Sequence, residues 1–313
     1  GAGLHRSGGG VATPVRRREA TAANRPYGRA ETAAGAGERG RTGHQAPPLE
    51  ALTAEVGSMS VLRDFSAQLC SGGIRVVDLT APLQSTTPIL QLPPPFGNTV
   101  PFQLEEISRY DDRGPAWYWN NIHTGEHTGT HLDAPIHWVT GRDGRSVAEI
   151  PPGELIAPAS VLDFADRALQ DPDFLLQVND VQVWESEHGT VHGWFLYRTG
   201  WDARSGDQDN FLNANETGPH TPGIAADCVA WLLAERSIVG IGVETAGTDA
   251  GAAHGFDPPF PCHGSLAGSG RYGLTQLQNL AELPPTGAVV IATGLPIVGG
   301  SGSPARVLGL VES

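Results

Sequence analysis

The sequence predicts a single α+β domain in which strands outnumber helices. Short apolar runs set off by Gly and Pro recur along the chain, a helical period shows in only two places, and no segment repeats another. Taken in order, residues 74–80 open the series as a strand rich in Val and Ile. Residues 117–122 mix aromatic and polar side chains as a half-exposed strand does, and 160–164 and 194–199 follow as further strands. The first helix opens with Thr221 as its cap and Pro222 at its first position, and carries Ile224, Cys228, Trp231 and Leu232 to about Arg236. Residues 238–243 read IVGIGV, a run without polar alternation that predicts a strand buried on both faces, and GAVVIA at 287–292 predicts another. Between them, Leu274, Leu277, Leu280 and Leu283 fall at helical spacing and predict a second helix over 273–283. Residues 306–311 close the series as a strand, and the 25 Pro and 41 Gly leave much of the rest to loops.

A chain of 313 residues, 39% hydrophobic and 17% charged, can bury one core of ordinary size, which excludes collagen, a coiled coil and a wholly disordered chain. A net charge of −14 argues against a general binder of nucleic acid or of an anionic membrane surface. No stretch approaches the roughly 20 apolar residues of a membrane helix. A small neutral or anionic substrate remains compatible with this charge where a metal supplies the positive field. Cys70, Cys228 and Cys262 are odd in number and widely spaced, so they suit neither a disulfide framework nor a zinc ribbon. A reducing cytoplasm is the expected compartment.

Residues 1–58 carry eight Arg against five Glu, and the rest of the chain twelve Arg against 29 acidic residues. The first segment is rich in Gly, Ala, Arg and Pro and has no apolar period, so burial cannot offset the entropy of ordering it, and disorder is expected. Arg16, Arg17 and Arg18 resemble an export signal, but no apolar segment follows them. The single Met stands at 59, directly before the first foldable stretch. The natural start is therefore expected at Met59, with 59–313 as the folded domain.

Residues 120–138 carry the chemistry. His123, His127, His131 and His137 crowd together there with Asp133. Imidazole and carboxylate are ligands of zinc, manganese and iron, and two His with one Asp leave coordination positions open for water or substrate. The Thr-Gly-Thr between His127 and His131, and Pro135 beyond them, disfavour a helix. In an extended segment His131 and Asp133 share a face, and Gly129 lets the backbone fold so that His127 reaches the same ion. Trp117, Tyr118 and Trp119 precede this cluster, and Phe96 sits in a Pro-rich loop. Such aromatics suit a planar ring substrate beside a metal, and equally suit a core. Spacing alone does not separate a catalytic metal site from an adventitious one.

HTGTHLDAPIH, residues 127–137, resembles the defining motif of the cyclase family of metal-dependent hydrolases, which includes bacterial kynurenine formamidases, isatin hydrolases and trans-dienelactone hydrolases. VVDLTAPL at 76–83, YRTGWD at 197–202, GVETAGTD at 242–249 and CHGSLAGSGRYGLTQLQNL at 262–280 extend the resemblance in the family's order. It implies a swivelling β/β/α fold, a barrel-like mixed sheet packed with helices. It also implies that His127, His131 and Asp133 hold a divalent ion, Zn2+ or Mn2+, with Asp133 able to bridge two. An ion so held lowers the pKa of its water from ~15.7 toward ~7, giving a nucleophile for a carbonyl. His137 matches the catalytic histidine, a proton carrier, with a fourth ligand as the alternative. His263 matches a ligand of the second ion in two-metal members, with a buried structural histidine as the alternative. Phe96, Trp119 and Gln276 are the expected substrate contacts.

Two positions depart from the pattern. Where kynurenine formamidases place a Glu ligand in a helix, the run here is LTQLQNL, with Thr275 at the Glu position and Gln276 beside it. Thr supplies no anionic oxygen, so one firmly held ion is expected, with His263 and Gln276 completing its shell or touching substrate. Glu244 replaces the family's Asp and reads as a structural carboxylate bonded to backbone near Thr248. The leading expectation is a hydrolase that opens an amide, lactam or lactone bond of a small aryl or cyclic substrate. A biosynthetic cyclase or dehydratase using the same ion as a Lewis acid, and a metal-binding protein without catalysis, are the alternatives. Family members are commonly homodimers or homotetramers, and the Pro- and Gly-rich residues 90–114 are the expected intersubunit loop.

Overall fold

Residues 60–313 are described by the computed structural model. The reading of 1–58 as disordered, and of Met59 as the natural start, lies outside the described residues. In chain order the elements are α1 (Val61–Ser71), β1 (Ile74–Asp78), β2 (Gln103–Arg109), β3 (Tyr118–His123), β4 (His131–Asp133) and β5 (Ile156–Asp163). There follow α2 (Ala165–Gln170), β6 (Leu175–Leu176), α3 (Val178–His188), β7 (His192–Arg198), α4 (Gln208–Leu212), β8 (Ala214–Asn215), β9 (Gly218–Pro219) and β10 (Gly223–Ile224). The chain ends with α5 (Ala226–Glu235), β11 (Ser237–Val243), α6 (Pro261–Gly268), β12 (Tyr272–Thr275), β13 (Ala288–Gly294) and β14 (Gly302–Glu312).

Seven strands close a barrel in the order β14, β13, β5, β7, β11, β12, β4 and back to β14. The closure depends on the length of β14. Its first residues pair with β4, its middle with β13 and its end with β1, which lies beyond the ring. β5, β7, β11 and β12 run parallel to one another. Parallel neighbours need crossover connections, and these carry the helices. Alternation along β7 divides the interior: Trp194 and Leu196 enter the barrel core, while Phe195 and Tyr197 meet α3, α5 and α6 through Val181, Trp184, Cys228, Val229, Leu232 and Leu266. Each such large side chain contributes about 1.5–3 kcal/mol when fully buried.

All seven expected strands form, with ends shifted by a few residues. β11 is buried on both faces as expected, whereas β13 alternates, because the helical layer covers β5, β7 and β11 and does not extend over it. β3 is not a half-exposed member of the main sheet but one arm of a two-stranded hairpin with β2, exposed on both faces.

Both helix expectations need correction. The helix expected from Pro222 begins at Ala226, because the N–H groups of Gly223 and Ala225 go to the carbonyls of Phe174 and Leu176 and keep the backbone extended as β10. No helix forms over 273–283. Residues 272–275 are drawn into the barrel between β11 and β4, and only a single 3-10 turn, Leu280–Glu282, follows. The four leucines are nevertheless all buried in the barrel core. Among the described residues no helix is long and apolar enough to cross a membrane.

Candidate metal centre

β4 is pinned on both edges, by β12 and by β14. Alternation sends Leu132 into the barrel core and puts His131 and Asp133 on the other face, with His131 Nε2 3.4 Å from Asp133 Oδ1. Gly129, at φ 63°, supplies the left-handed turn before the strand. His127 thereby returns to the same carboxylate, its Nδ1 2.8 Å from Asp133 Oδ1. Pro135 starts a single 3-10 turn, Pro135–His137, and the last residue of that turn lays its ring on His127. The donor atoms of His127, Asp133 and His137 all lie within 4.8 Å of one another.

His263 approaches from the first turn of α6, with Nε2 3.9 Å from Asp133 Oδ2. Its other nitrogen, Nδ1, is 2.6 Å from Asp249 Oδ2. Asp249 also accepts the backbone N–H groups of Cys262 and His263. It therefore caps α6 from a distance, where the residue preceding the helix, Phe260, offers no acceptor.

Burial alone would raise the Asp133 pKa, but the charges and hydrogen bonds of His131 and His127 hold it well below the usual carboxylate range. His137 moves the other way. Burial lowers it from 6.5 to about 4, with Asp133 opposing and the three neighbouring histidines assisting, so its ring is neutral at neutral pH. For His263 burial acts downward, yet the hydrogen bond and charge of Asp249, with the charge of Asp133, together raise the pKa.

These residues fit a divalent cation. Nδ1 of His131 is 2.8 Å from the Gly129 carbonyl, which can only accept, so that nitrogen carries a proton and, in the neutral ring, Nε2 is the lone pair free for an ion. Asp133 Oδ2 is buried without a hydrogen-bond donor. Imidazole lone pairs around an ionised carboxylate with an unpartnered oxygen are the donor set that zinc or manganese takes. Thr275, fully buried, places Oγ1 2.9 and 3.1 Å from the two nitrogens of His131, and brings a neutral hydroxyl where an anionic ligand would add charge.

The other sequence candidates lie differently. Phe96 and Trp119 are 64% and 53% exposed, and no hydrogen bond or ring contact among the described residues ties either to the cluster. His123 pairs with Glu105 on the exposed hairpin. Gln276 is buried, and its Nε2 donates to the Pro88 carbonyl at 3.4 Å. Glu244 Oε2 accepts the N–H groups of Thr199 and Trp201 rather than a group near Thr248, because β11 and β7 run side by side and end together.

Sequence reasoning passed over Trp138, whose ring stacks on His263 at 4.9 Å and meets Phe260 edge-on at 5.6 Å. Its position directly after His137 was the available signal. Ser301, 2.8 Å from His127 Nε2, gave none, being remote in the chain.

Residues 77–250 match the family described as "Putative cyclase". An isatin hydrolase of Roseibium aggregatum is 47% identical over 259 residues, covering 81% of this chain and 98% of that protein. A kynurenine formamidase of Salinibacter ruber is 27% identical over 189 residues, covering 60% of this chain and 77% of that one. Among solved structures, isatin hydrolase A from Ralstonia solanacearum matches with a TM-score of 0.80 and 50% identity, over 83% of this chain and 100% of the other.

Proposed function

The chain belongs to the cyclase family, and on that footing we propose that it is a metal-dependent hydrolase opening an amide, lactam or lactone bond of a small aryl or cyclic substrate. The observation that carries this reading is the His137 ring stacked on His127 at 3.9 Å, with the donor atoms of His127, Asp133 and His137 within 4.8 Å of one another. His127, His131 and Asp133 would hold the ion, with His263 at the second carboxylate oxygen. When bound, Zn2+ or Mn2+ supplies Lewis-acid charge and acidifies a water. His137 accepts a proton at a ring nitrogen from the attacking water, and the Asp133 charge stabilises the imidazolium that results. The same nitrogen then returns the proton to the leaving nitrogen or oxygen. Trp138, with Phe260 edge-on to it, offers apolar aromatic surface for an aryl ring.

The relatives named for isatin and for kynurenine formamide hydrolysis supply the substrates to try. The free state of Cys70, Cys228 and Cys262 supports a reducing, cytoplasmic setting. The exposed apolar side chains of the β2–β3 hairpin support a homodimer or homotetramer. Metal content by mass spectrometry, together with turnover of isatin, N-formylkynurenine and a dienelactone, tests the reading. About one ion per chain and hydrolysis that a chelator abolishes are expected. Turnover unchanged in metal-free protein would refute it.

A further inference from the structure

We propose that Glu126 and Ser301 are positioning residues that fix which nitrogen of His127 is turned to the metal. The inference rests on the metal reading above and adds to it a hydrogen-bond relay. Glu126 Oε2 accepts both the backbone N–H of Ser301 at 3.0 Å and its hydroxyl at 2.6 Å. An ionised carboxylate only accepts, so the Ser301 proton is committed to Glu126 and the hydroxyl oxygen is left to accept in turn. His127 Nε2, 2.8 Å from that oxygen, therefore carries the N–H.

The consequence falls on the opposite side of the ring. In the neutral ring Nδ1 is then the lone-pair nitrogen, 2.8 Å from Asp133 Oδ1, and two acceptors at that distance are bridged by a cation: the metal when bound, a second ring proton when it is absent. The backbone beside Ser301 holds the ring in that attitude: a Cβ at Gly302 would stand 2.5 Å from His127 Cε1, so only glycine lets the turn before β14 press against the imidazole edge. Outer partners of this kind set the tautomer and orientation of a metal-ligating histidine. Here the partner comes from the loop joining β13 and β14, and the acid that orders it directly precedes the histidine in the chain.

The test is Co2+ binding to metal-free full-length chain, by calorimetry and by the visible spectrum of the bound ion, with metal-free thermal melts alongside. Ser301→Ala is expected to weaken Co2+ by about 10–100-fold and alter the spectrum while leaving the metal-free melt unchanged. Ser301→Thr, which keeps the hydroxyl, restores both. Glu126→Gln weakens binding as well, because an amide can donate to the hydroxyl and free its proton to turn toward Nε2. Wild-type affinity and spectrum in Ser301→Ala, or in Glu126→Gln should the serine variant not fold, would overturn the proposal. Weaker binding that tracks a lower metal-free melt, and that threonine does not rescue, overturns it too. Failure of the unsubstituted chain to bind Co2+ would remove the metal reading along with the relay, whereas binding lost in no variant removes the relay alone.

Discussion

The imidazoles of His127 and His137 stack at 3.9 Å between centroids with 28° between their planes. This contact joins a candidate ligand to the candidate proton carrier, and burial keeps the carrier neutral. His137→Ala is expected to retain the ion and lose about 10²–10⁴-fold in kcat, the usual worth of a positioned acid–base. His127→Ala is expected to lose the ion itself. Metal analysis of the two purified variants beside their turnover separates the roles, and loss of metal from His137→Ala would make that ring a ligand.

Asp249 performs two tasks with one carboxylate, capping α6 and anchoring His263 Nδ1. Asp249→Asn keeps the size, removes the charge and turns an amide toward groups that donate. A stability loss of about 1–3 kcal/mol in urea is expected. Because Asp249 leads Asp133 among the groups that raise the His263 pKa, the variant's His263 should titrate lower by NMR of the metal-free chain. An unmoved His263 titration would refute the anchoring role.

The strands were legible because Val, Ile and aromatic runs are local, whereas the barrel-like sheet followed only from the family resemblance, since no local pattern marks its closure. That closure depends on β4, three residues reading His-Leu-Asp, which carries no apolar run and becomes a strand only by pairing with β12 and β14. The leucines at 274, 277, 280 and 283 show the same limit, since their spacing encodes burial but the barrel imposes extension on the first of them. At the site, His127, His131, Asp133 and His137 stood out because one strand and its flanking turns bring them together. Asp249, Ser301 and Glu126 act through contacts that exist only once distant segments meet, so composition gave no sign of them.

The β2–β3 hairpin exposes Leu104, Trp117, Trp119 and Ile122, each about half or more accessible. Leu104 and Ile122 are cross-strand partners and Trp117 meets Trp119 edge-on, exposed apolar pairs that suit contact with another copy of the chain. Light scattering is expected to give a dimer or tetramer, and the pair Trp119→Ser and Ile122→Ser to shift it toward monomer with an unchanged circular dichroism spectrum. A monomeric unsubstituted chain would sink this expectation.

Glu244 gives the fold a pH dependence away from the metal centre. Burial, then the charge of Asp202, push its carboxyl up to about 7 against the hydrogen bonds from Thr199 and Trp201. The folded chain therefore keeps a proton that the unfolded chain gives up near 4.5. The stabilisation is complete below that lower value and is lost as pH rises through the folded pKa, a difference on the order of 3 kcal/mol. Glu244→Gln mimics the protonated side chain and carries no such dependence. Melting temperatures of the two proteins should agree near pH 5 and separate above pH 7, with the glutamine variant the more stable. Parallel curves across that range would show that Glu244 is ionised in the folded protein throughout.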